Sequence, residues 1–212
     1  MTTPAMRTKF GYAREETRLG GLSELVGGGT LRLLLHFLLD PERRLHFRAL
    51  REHTGLGTGA LQREVARLES LGLIERSDEA GRVYFEAVAD HPSWGALRTL
   101  VREHAEPADV VREALRDVPG IRVAFVFGSW AQGTARPQSD VDVLIVEEGM
   151  PLAAFGRATT AAQSLLQRAL DVKRYTPASF ADRLSRGSRF LADALAGPKS
   201  WLIGSEHALA PD

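Results

Sequence analysis

Residues 123–148 have the sequence VAFVFGSWAQGTARPQSDVDVLIVEE, which combines two strand patterns with a glycine turn. The two apolar runs, 123–127 and 141–146, are rich in strand-forming residues. A glycine–serine pair ends the first run abruptly, and a polar loop leads to the second run. We therefore expect a strand, a tight turn, a loop and a second strand.

Two aspartates stand at the start of the second predicted strand. Asp140 and Asp142 are two positions apart, and side chains at that spacing leave a strand on the same face. Two carboxylates at one edge of a sheet repel each other unless a cation lies between them. Hard divalent cations prefer carboxylate, water and phosphate oxygens, so the pair predicts a site for Mg²⁺ (or Mn²⁺) and phosphate.

The composition indicates a cytoplasmic protein of one domain or two small ones. The chain has 212 residues, 44% of them apolar, which is enough to bury a core. It has no cysteine, no run of about 18 apolar residues and no apolar leader, which argues against disulfides, a membrane span and secretion. Its 27 basic and 27 acidic residues cancel, which disfavours a strongly basic nucleic-acid binder but leaves a local basic patch open.

The first half of the chain predicts three helices and a hairpin behind a flexible lead-in over residues 1–22. The predicted helices cover residues 31–40, 42–51 and 58–71, and the predicted hairpin covers residues 73–88 with its turn at 78–81. In the third helix, Leu61, Val65 and Leu68 recur at helical spacing and are expected to be buried. Thr58 is its expected N-cap, and Gly72 its expected stop.

This order of elements resembles the winged helix-turn-helix regulators of the arsenic-repressor type. The strongest likeness is residues 61–88, LQREVARLESLGLIERSDEAGRVYFEAV, where a recognition helix runs into a wing. The resemblance implies a DNA partner and a homodimer, with a helix in the major groove and a wing on the phosphates. The residues expected to contact DNA point away from the core stripe: Thr58, Gln62, Arg63, Arg67 and Arg82. Such modules also bind proteins, and the balanced charge of residues 1–90 does not favour DNA.

The second half predicts alternating helices and strands. Beyond the two strands already described, the predicted elements are helices over residues 94–103, 108–117 and 152–169, one or two helices over 178–196, and an extended segment, LDVKRYT, over 170–176. Such an alternation is typical of an α/β domain with a small mixed sheet. The apolar WLI near the C-terminus is assigned to no element.

Residues 128–143, GSWAQGTARPQSDVDV, match the pattern G-S-x-A-x-G, five residues, then S-D-x-D. This stretch resembles the minimal nucleotidyltransferases of the DNA polymerase beta superfamily, and the likeness covers residues 107–180. It implies metal-dependent transfer of a nucleoside monophosphate from an NTP or dNTP to a hydroxyl, with release of pyrophosphate. The family's third carboxylate lies on the next strand, and Asp171 at the start of the extended segment is assigned to it.

Each motif residue has an expected physical role. Gly128 permits a positive φ and close approach of a phosphate, and Gly133 permits a further tight turn. Ser129 is expected to cap the following short helix and to donate to a phosphate. Ser139 is expected to orient the loop that presents Asp140.

Charged residues on the two later strands are assigned by their faces and positions. Lys173 lies on the same side as Asp171 and is expected to meet the triphosphate, whereas Arg174 points away. Glu147 and Glu148 are poor third acids because they lie at the far end of their strand from Asp142.

Two further features bear on the site. Many members of the superfamily have Arg where this chain has Gln132, and Gln cannot supply a fixed positive charge. This departure predicts weaker triphosphate affinity or a different acceptor. Five histidines show no ligand spacing and are interpreted as structural or surface residues: His36, His46, His53, His91 and His104.

Together these patterns predict an α+β protein of two domains, a winged helix-turn-helix over residues 23–90 and an α/β nucleotidyltransferase domain over 107–212, joined by a linker helix over 91–106. The acceptor stays open between a nucleic-acid 3′-hydroxyl, as in a polymerase, and a hydroxyl on a protein partner, as in some toxin–antitoxin pairs. The non-enzymatic alternative is a transcription regulator that only senses nucleotide. The presence of three acids favours catalysis.

Overall fold

The structure is a computed structural model that describes residues 21–136 and 138–209. The predicted lead-in over residues 1–22 lies outside these ranges, except for its last two residues. Gly21 and Leu22 begin helix α1, and Leu22 is buried, so the end of the predicted lead-in is helical and packed.

The first half of the described chain alternates helices with three strands. Its elements are α1 (Gly21–Val26), α2 (Gly28–Leu39), β1 (Leu45–His46), α3 (Phe47–Thr54), α4 (Thr58–Ser70), β2 (Ile74–Glu79), β3 (Arg82–Ala87) and α5 (Ser93–His104). The three strands form an antiparallel sheet in the order β1-β3-β2. The predicted hairpin is confirmed, and so is the burial of Leu61, Val65 and Leu68 on α4.

Three predictions about helix ends in this half are wrong. Helix α2 starts at Gly28 and not near residue 31, and a Cβ on Gly29 would lie 2.2 Å from Leu56 Cδ2, so a glycine allows this close packing. The predicted helix over residues 42–51 begins only at Phe47, because Leu45 and His46 pair with β3. Thr58 is the first helical residue of α4, since Gly57 occupies the N-cap.

The second half is built on a four-stranded mixed sheet. Its elements are α6 (Pro107–Leu115), β4 (Ile121–Phe127), α7 (Gly128–Gln132), β5 (Val141–Glu147), α8 (Leu152–Leu166), β6 (Leu170–Tyr175), α9 (Pro177–Ser185), α10 (Arg189–Ala196), β7 (Ser200–Ile203) and a 3-10 helix (Glu206–Leu209). The strand order is β6-β5-β4-β7; β5 and β6 are parallel, and the other two pairs are antiparallel. The small mixed sheet predicted from the sequence is confirmed.

Two elements of this half differ from the prediction. The WLI segment forms edge strand β7, which pairs with β4. Helix α8 ends at Leu166 and not at residue 169, because Gln167 adopts a left-handed conformation with φ of 52°. Leu170 begins β6, in agreement with the extended segment predicted over residues 170–176.

The buried side chains form a large core that runs through both halves and a smaller one behind the second sheet. The large core joins α2, α4 and β3 to α6, α8 and one face of β4 and β5. Helix α5, the predicted linker, contributes Trp94 and Val101 to this core and contacts α1 and α8. The smaller core packs Val123 and Phe125 against Phe180 and Leu191. The mixed sheet is therefore covered on both faces, and its strand ends are left to carry polar groups. Among the described residues, no helix combines the length and apolarity that crossing a membrane requires.

Candidate active site

Strand register brings two of the predicted acids together at one edge of the mixed sheet. Asp142 on β5 pairs with Asp171 on β6 in the parallel ladder, and with Phe127 on β4 in the antiparallel ladder. Asp140 lies one residue before β5 begins. The crossover through α8 makes β6 parallel to β5, so both strands start at the same edge and present their acids there.

The turn after β4 is pressed against one of these carboxylates. Gly128 has a φ of 69°, and a Cβ placed on it would lie 2.5 Å from Asp142 Oδ2. The predicted positive φ is confirmed, and the close approach that needs a glycine is to a carboxylate of the same chain. Glycine is required here for both its backbone conformation and its lack of a side chain.

The electrostatics of the edge show that the acids act on one another. Burial raises the pKa of Asp142 above its usual value, and the carboxylates of Asp171 and then Asp140 raise that pKa further. Lys173 opposes this effect: its Nζ donates to Asp171 Oδ1 over 2.9 Å, and this bond raises the pKa of the lysine. The prediction that Lys173 shares a side with Asp171 is confirmed.

The three acids offer oxygen donors only, the ligand type that Mg²⁺ prefers. Their mutual repulsion, which adds to the effect of burial on the pKa of Asp142, is what a bound cation would relieve. The Asp171 side chain is 45% exposed, so this edge is open to solvent.

The two motif serines differ in whether the structure shows their predicted contacts with the backbone. Ser129 lies within α7, whose N-cap is Phe127 and has no side-chain cap bond, so the prediction that Ser129 caps this helix is wrong. The helix begins one residue earlier than expected and leaves the serine inside its first turn. Ser139 Oγ accepts from the Arg136 amide over 2.9 Å, and this contact orients the loop before Asp140, as predicted. Gly133, with a φ of 70°, ends α7 in the predicted turn.

Arg168 and Trp130 make contacts beside the motif that the sequence did not predict. The Arg168 guanidinium carbon lies 5.1 Å from the centre of the Trp130 ring, a cation–π contact between the α8–β6 connection and α7. Trp130 Nε1 donates to the Ser139 carbonyl over 3.3 Å, which ties α7 to the loop before Asp140. Trp130 stands at the first x of the pattern G-S-x-A-x-G, where the pattern sets no residue type, so the motif does not indicate this contact. Gln132, at the end of α7, is exposed.

The far end of β5 carries a separate ion pair. Arg174 Nη2 donates to Glu147 Oε1 over 2.9 Å, and this bond lowers the pKa of Glu147. Arg174 also lies over the ring of Phe155, so it points away from the acid edge as predicted. Glu147 is therefore not one of the edge carboxylates.

The residues predicted to contact DNA lie on the surface of the first half. All five are exposed, four on α4 and one at the start of β3: Thr58, Gln62, Arg63, Arg67 and Arg82. Arg67 Nη1 lies 3.6 Å from Glu64 Oε2 on the same helix.

Two of the histidines that show no ligand spacing in the sequence lie together in the fold. His36 on α2 and His53 on α3 meet Glu113 of α6, and the ligand-type atoms of the three lie within 4.8 Å of one another. Burial and, to a smaller extent, the neighbouring His53 lower the pKa of His36 to about 4. The group assembles only through packing of three helices, so no sequence spacing reveals it.

Comparison with known proteins identifies the second half of the chain. Residues 108–190 match the family model of the nucleotidyltransferase domain. A crystal structure of a toxin-antitoxin with AMP-PNP is similar over 48% of this chain and 77% of that chain, with 22% identity and a TM-score of 0.35. A mutant of the toxin-antitoxin MntA-HpeT is similar over 47% of this chain and 75% of that chain, with 20% identity and a TM-score of 0.34.

No curated protein matches this chain. The family-model match spans the edge acids, the glycine turn and the strand that carries Asp171. This chain therefore contains a nucleotidyltransferase domain over residues 108–190.

Proposed function

We propose that the protein transfers a nucleoside monophosphate from an NTP or dNTP to a hydroxyl, with release of pyrophosphate, and that Asp140, Asp142 and Asp171 form the catalytic metal site. The register that pairs Asp142 with Asp171, beside a turn that only glycine can make, carries this proposal. Three acids at one strand edge cost electrostatic energy in the free protein, and a metal-dependent reaction explains why they are gathered there.

The acids would hold one or two divalent cations, Mg²⁺ or Mn²⁺. When bound, such ions neutralise charge on the triphosphate and make the attacking hydroxyl easier to deprotonate. Gly128 keeps the turn against Asp142, so the carboxylate stays in place. Lys173 holds Asp171 through its hydrogen bond and places a positive charge beside the acids.

The remaining motif residues serve the nucleotide. The Ser129 hydroxyl lies in the first turn of α7 and can donate to a β- or γ-phosphate, while Gly133 and Ser139 shape the loop on either side. Gln132 brings no charge to this region, and Arg168, held over Trp130, supplies a cation from another element. We propose that Arg168 takes part of the role that Arg has at the Gln132 position in other members.

A labelled-transfer assay tests the reaction and identifies the acceptor. The full-length protein is incubated with Mg²⁺ and α-³²P-labelled NTPs or dNTPs, in turn with a DNA primer–template, an RNA oligonucleotide and a protein extract. We expect label on one class of acceptor. An Asp140→Asn/Asp142→Asn variant should transfer none, while Glu147→Gln, at the other end of β5, should behave as wild type. Equal transfer by wild type and the double variant would overturn the assignment of the acids.

A second function is favoured by the topology of the first half. The order α2-β1-α3-α4-β2-β3 and the three-stranded antiparallel sheet support our proposal that residues 23–90 form a winged helix. The exposed polar face of α4 and Arg82 at the hairpin then form the DNA-binding surface. In the regulator alternative, this surface acts alone and the second half only senses nucleotide or modifies a protein partner. Dimerisation, the usual state of such regulators, would present two of these surfaces.

Gel retardation at several salt concentrations tests DNA binding. Retardation should weaken with salt, and Arg63→Ala should weaken it further and lower the slope of log K against log salt by about 1. Arg189→Ala, a 95%-exposed arginine on α10, is the matched control. Unchanged migration with Arg63→Ala would remove α4 from the interface. The acid variant should still bind DNA, since its substitutions lie in the other half.

A further inference from the structure

Three side chains able to bind a metal meet where the two halves of the chain pack together. His36 comes from α2, His53 from α3 and Glu113 from α6. Each offers one ligand-type atom, and these atoms lie within 4.8 Å of one another. His53 Nδ1 is 3.6 Å from Glu113 Oε1. The cluster is separate from the edge acids, which lie on β5, on β6 and just before β5.

The cluster is buried, and two of its nitrogen atoms are not satisfied. His36 is 4% exposed, and the side chains of His53 and Glu113 are 10% and 3% exposed. Within residues 21–136 and 138–209, His36 Nε2 and His53 Nδ1 have no hydrogen-bond partner. Buried polar atoms nearly always have partners, so two such nitrogens side by side indicate a missing ligand.

We propose that His36, His53 and Glu113 bind a divalent transition-metal ion of the Zn²⁺ class. Two imidazoles and one carboxylate form a ligand set that Zn²⁺ accepts, with a fourth position for water or another ligand. Imidazole nitrogen selects Zn²⁺, Cu²⁺, Ni²⁺ or Co²⁺ over the hard ion Mg²⁺. A tetrahedral ion needs ligand atoms about 3.4 Å apart, so small side-chain movements close the site.

The surroundings of the cluster orient two of its ligands. His53 Nε2 lies 3.5 Å from Asp117 Oδ2, while His53 Nδ1 faces Glu113. The His53 imidazole therefore has a carboxylate at each of its two nitrogens. Such carboxylate–histidine pairs fix the ring and its tautomer at metal sites. Arg116 Nε donates to Glu113 Oε2 over 3.0 Å, and this bond leaves Oε1 directed at His53.

A cavity adjoins the cluster and would let solvent reach the fourth coordination position of a bound ion. Its volume is about 460 Å³, and its lining includes His36, Asp40, Arg43, Glu113, Asp117 and Arg157. The ion would therefore join α2 and α3 to α6 while one side stays accessible to water or a small anion. Bound metal would clamp the two halves together, because its ligands come from both.

Metal titration of the full-length protein tests the site. The starting material is an Asp140→Asn/Asp142→Asn variant, so that the edge acids cannot account for uptake, freed of metal by a chelator and kept in excess Mg²⁺. We expect one Zn²⁺ per chain by calorimetry, a higher Tm with Zn²⁺, and visible absorption when Co²⁺ replaces Zn²⁺. In this background, His53→Gln and Glu113→Gln should weaken binding at least about 100-fold, and Asp117→Asn about 10-fold.

The matched control is His104→Gln, whose parent side chain is 60% exposed and outside the cluster. It should bind Zn²⁺ as the background protein does. Circular dichroism of each metal-free variant separates lost binding from lost folding, and Asp117→Asn, which keeps all three ligands, serves if the ligand variants fail to fold. The proposal is overturned if the background protein takes up no Zn²⁺, or if the folded cluster variants bind it as tightly as His104→Gln.

Discussion

The edge acids and the histidine cluster, for both of which we propose metal binding, are built in opposite ways. The acids stand on adjacent strands, offer only oxygen, and include the 45%-exposed side chain of Asp171. The cluster spans three helices, offers two nitrogens and one oxygen, and contains Glu113, whose side chain is 3% exposed. An exposed oxygen site suits ions that arrive and leave with a nucleotide, whereas a buried nitrogen site suits an ion that stays.

The largest expected effect separates the two groups by function. Asp142→Asn should lower nucleotidyl transfer by about 10²–10³-fold, because it removes a charge that holds the metal against the triphosphate. His53→Gln should leave the rate of the folded enzyme within about threefold, since no catalytic role falls to it. Initial rates at saturating Mg²⁺ check this pair. A large loss in the folded His53 variant would make the cluster part of the catalytic centre.

The next effect tests which carboxylate completes the edge. Asp171→Asn should lower the transfer rate about 100-fold, because its carboxylate is the register partner of Asp142. Glu147→Gln removes an equal charge from the other end of β5 and should have little effect beyond losing the pair with Arg174. Equal losses in the two variants would contradict the assignment of the third acid.

A smaller effect comes from the turn that supports Asp142. Gly128→Ala adds a Cβ 2.5 Å from Asp142 Oδ2, which must displace the carboxylate and should lower the rate roughly 10- to 100-fold. Gly133→Ala is the matched control: its φ is also near 70°, and nothing lies within 4 Å of its Cβ position. Both variants should lose stability from left-handed strain, but only Gly128→Ala should lose activity beyond that.

The smallest effect concerns the burial of Asp142 and its repulsion by the other two acids in metal-free protein. The pKa of Asp142 is raised in the folded state, so its ionised form costs stability above that pKa, and the cost disappears as the pH falls to the unfolded value. Asp142→Asn should therefore raise the Tm by about 1–3 °C at neutral pH without metal. The gain should shrink in acid and reverse in saturating Mg²⁺. A lower Tm at neutral pH without metal would contradict the electrostatic account.

The acid edge could be predicted because local sequence carries most of it. Asp140 and Asp142 share one short stretch with Gly128, and the strand patterns on either side give them a common edge. Asp171 follows one crossover helix, and a helical crossover makes the next strand parallel and starts it at the same edge. The resemblance to nucleotidyltransferases supplied the expectation of a third acid, and the register now brings it to Asp142.

The features that were not predicted depend on distant partners. Strand β1 has only two residues and exists because Leu45 and His46 pair with β3, while β7 exists because it pairs with β4. The histidine cluster needs α2, α3 and α6 to pack together, and no periodicity in one segment encodes that packing. Local sequence patterns predict single helices and long strands, whereas short strands and buried clusters depend on contacts between distant parts of the chain.

The central claim, nucleotidyl transfer at the acid edge, is tested most directly by comparing the fate of two labels in one reaction. With α-³²P-labelled nucleotide, Mg²⁺ and the acceptor identified by the transfer assay, the wild type should place label on the acceptor, and Asp142→Asn should do so about 10²–10³-fold more slowly. With γ-³²P-labelled nucleotide, the wild type should leave the acceptor unlabelled and release labelled pyrophosphate. Label from the γ-phosphate on the acceptor, or equal α-label transfer by Asp142→Asn, would contradict the claim.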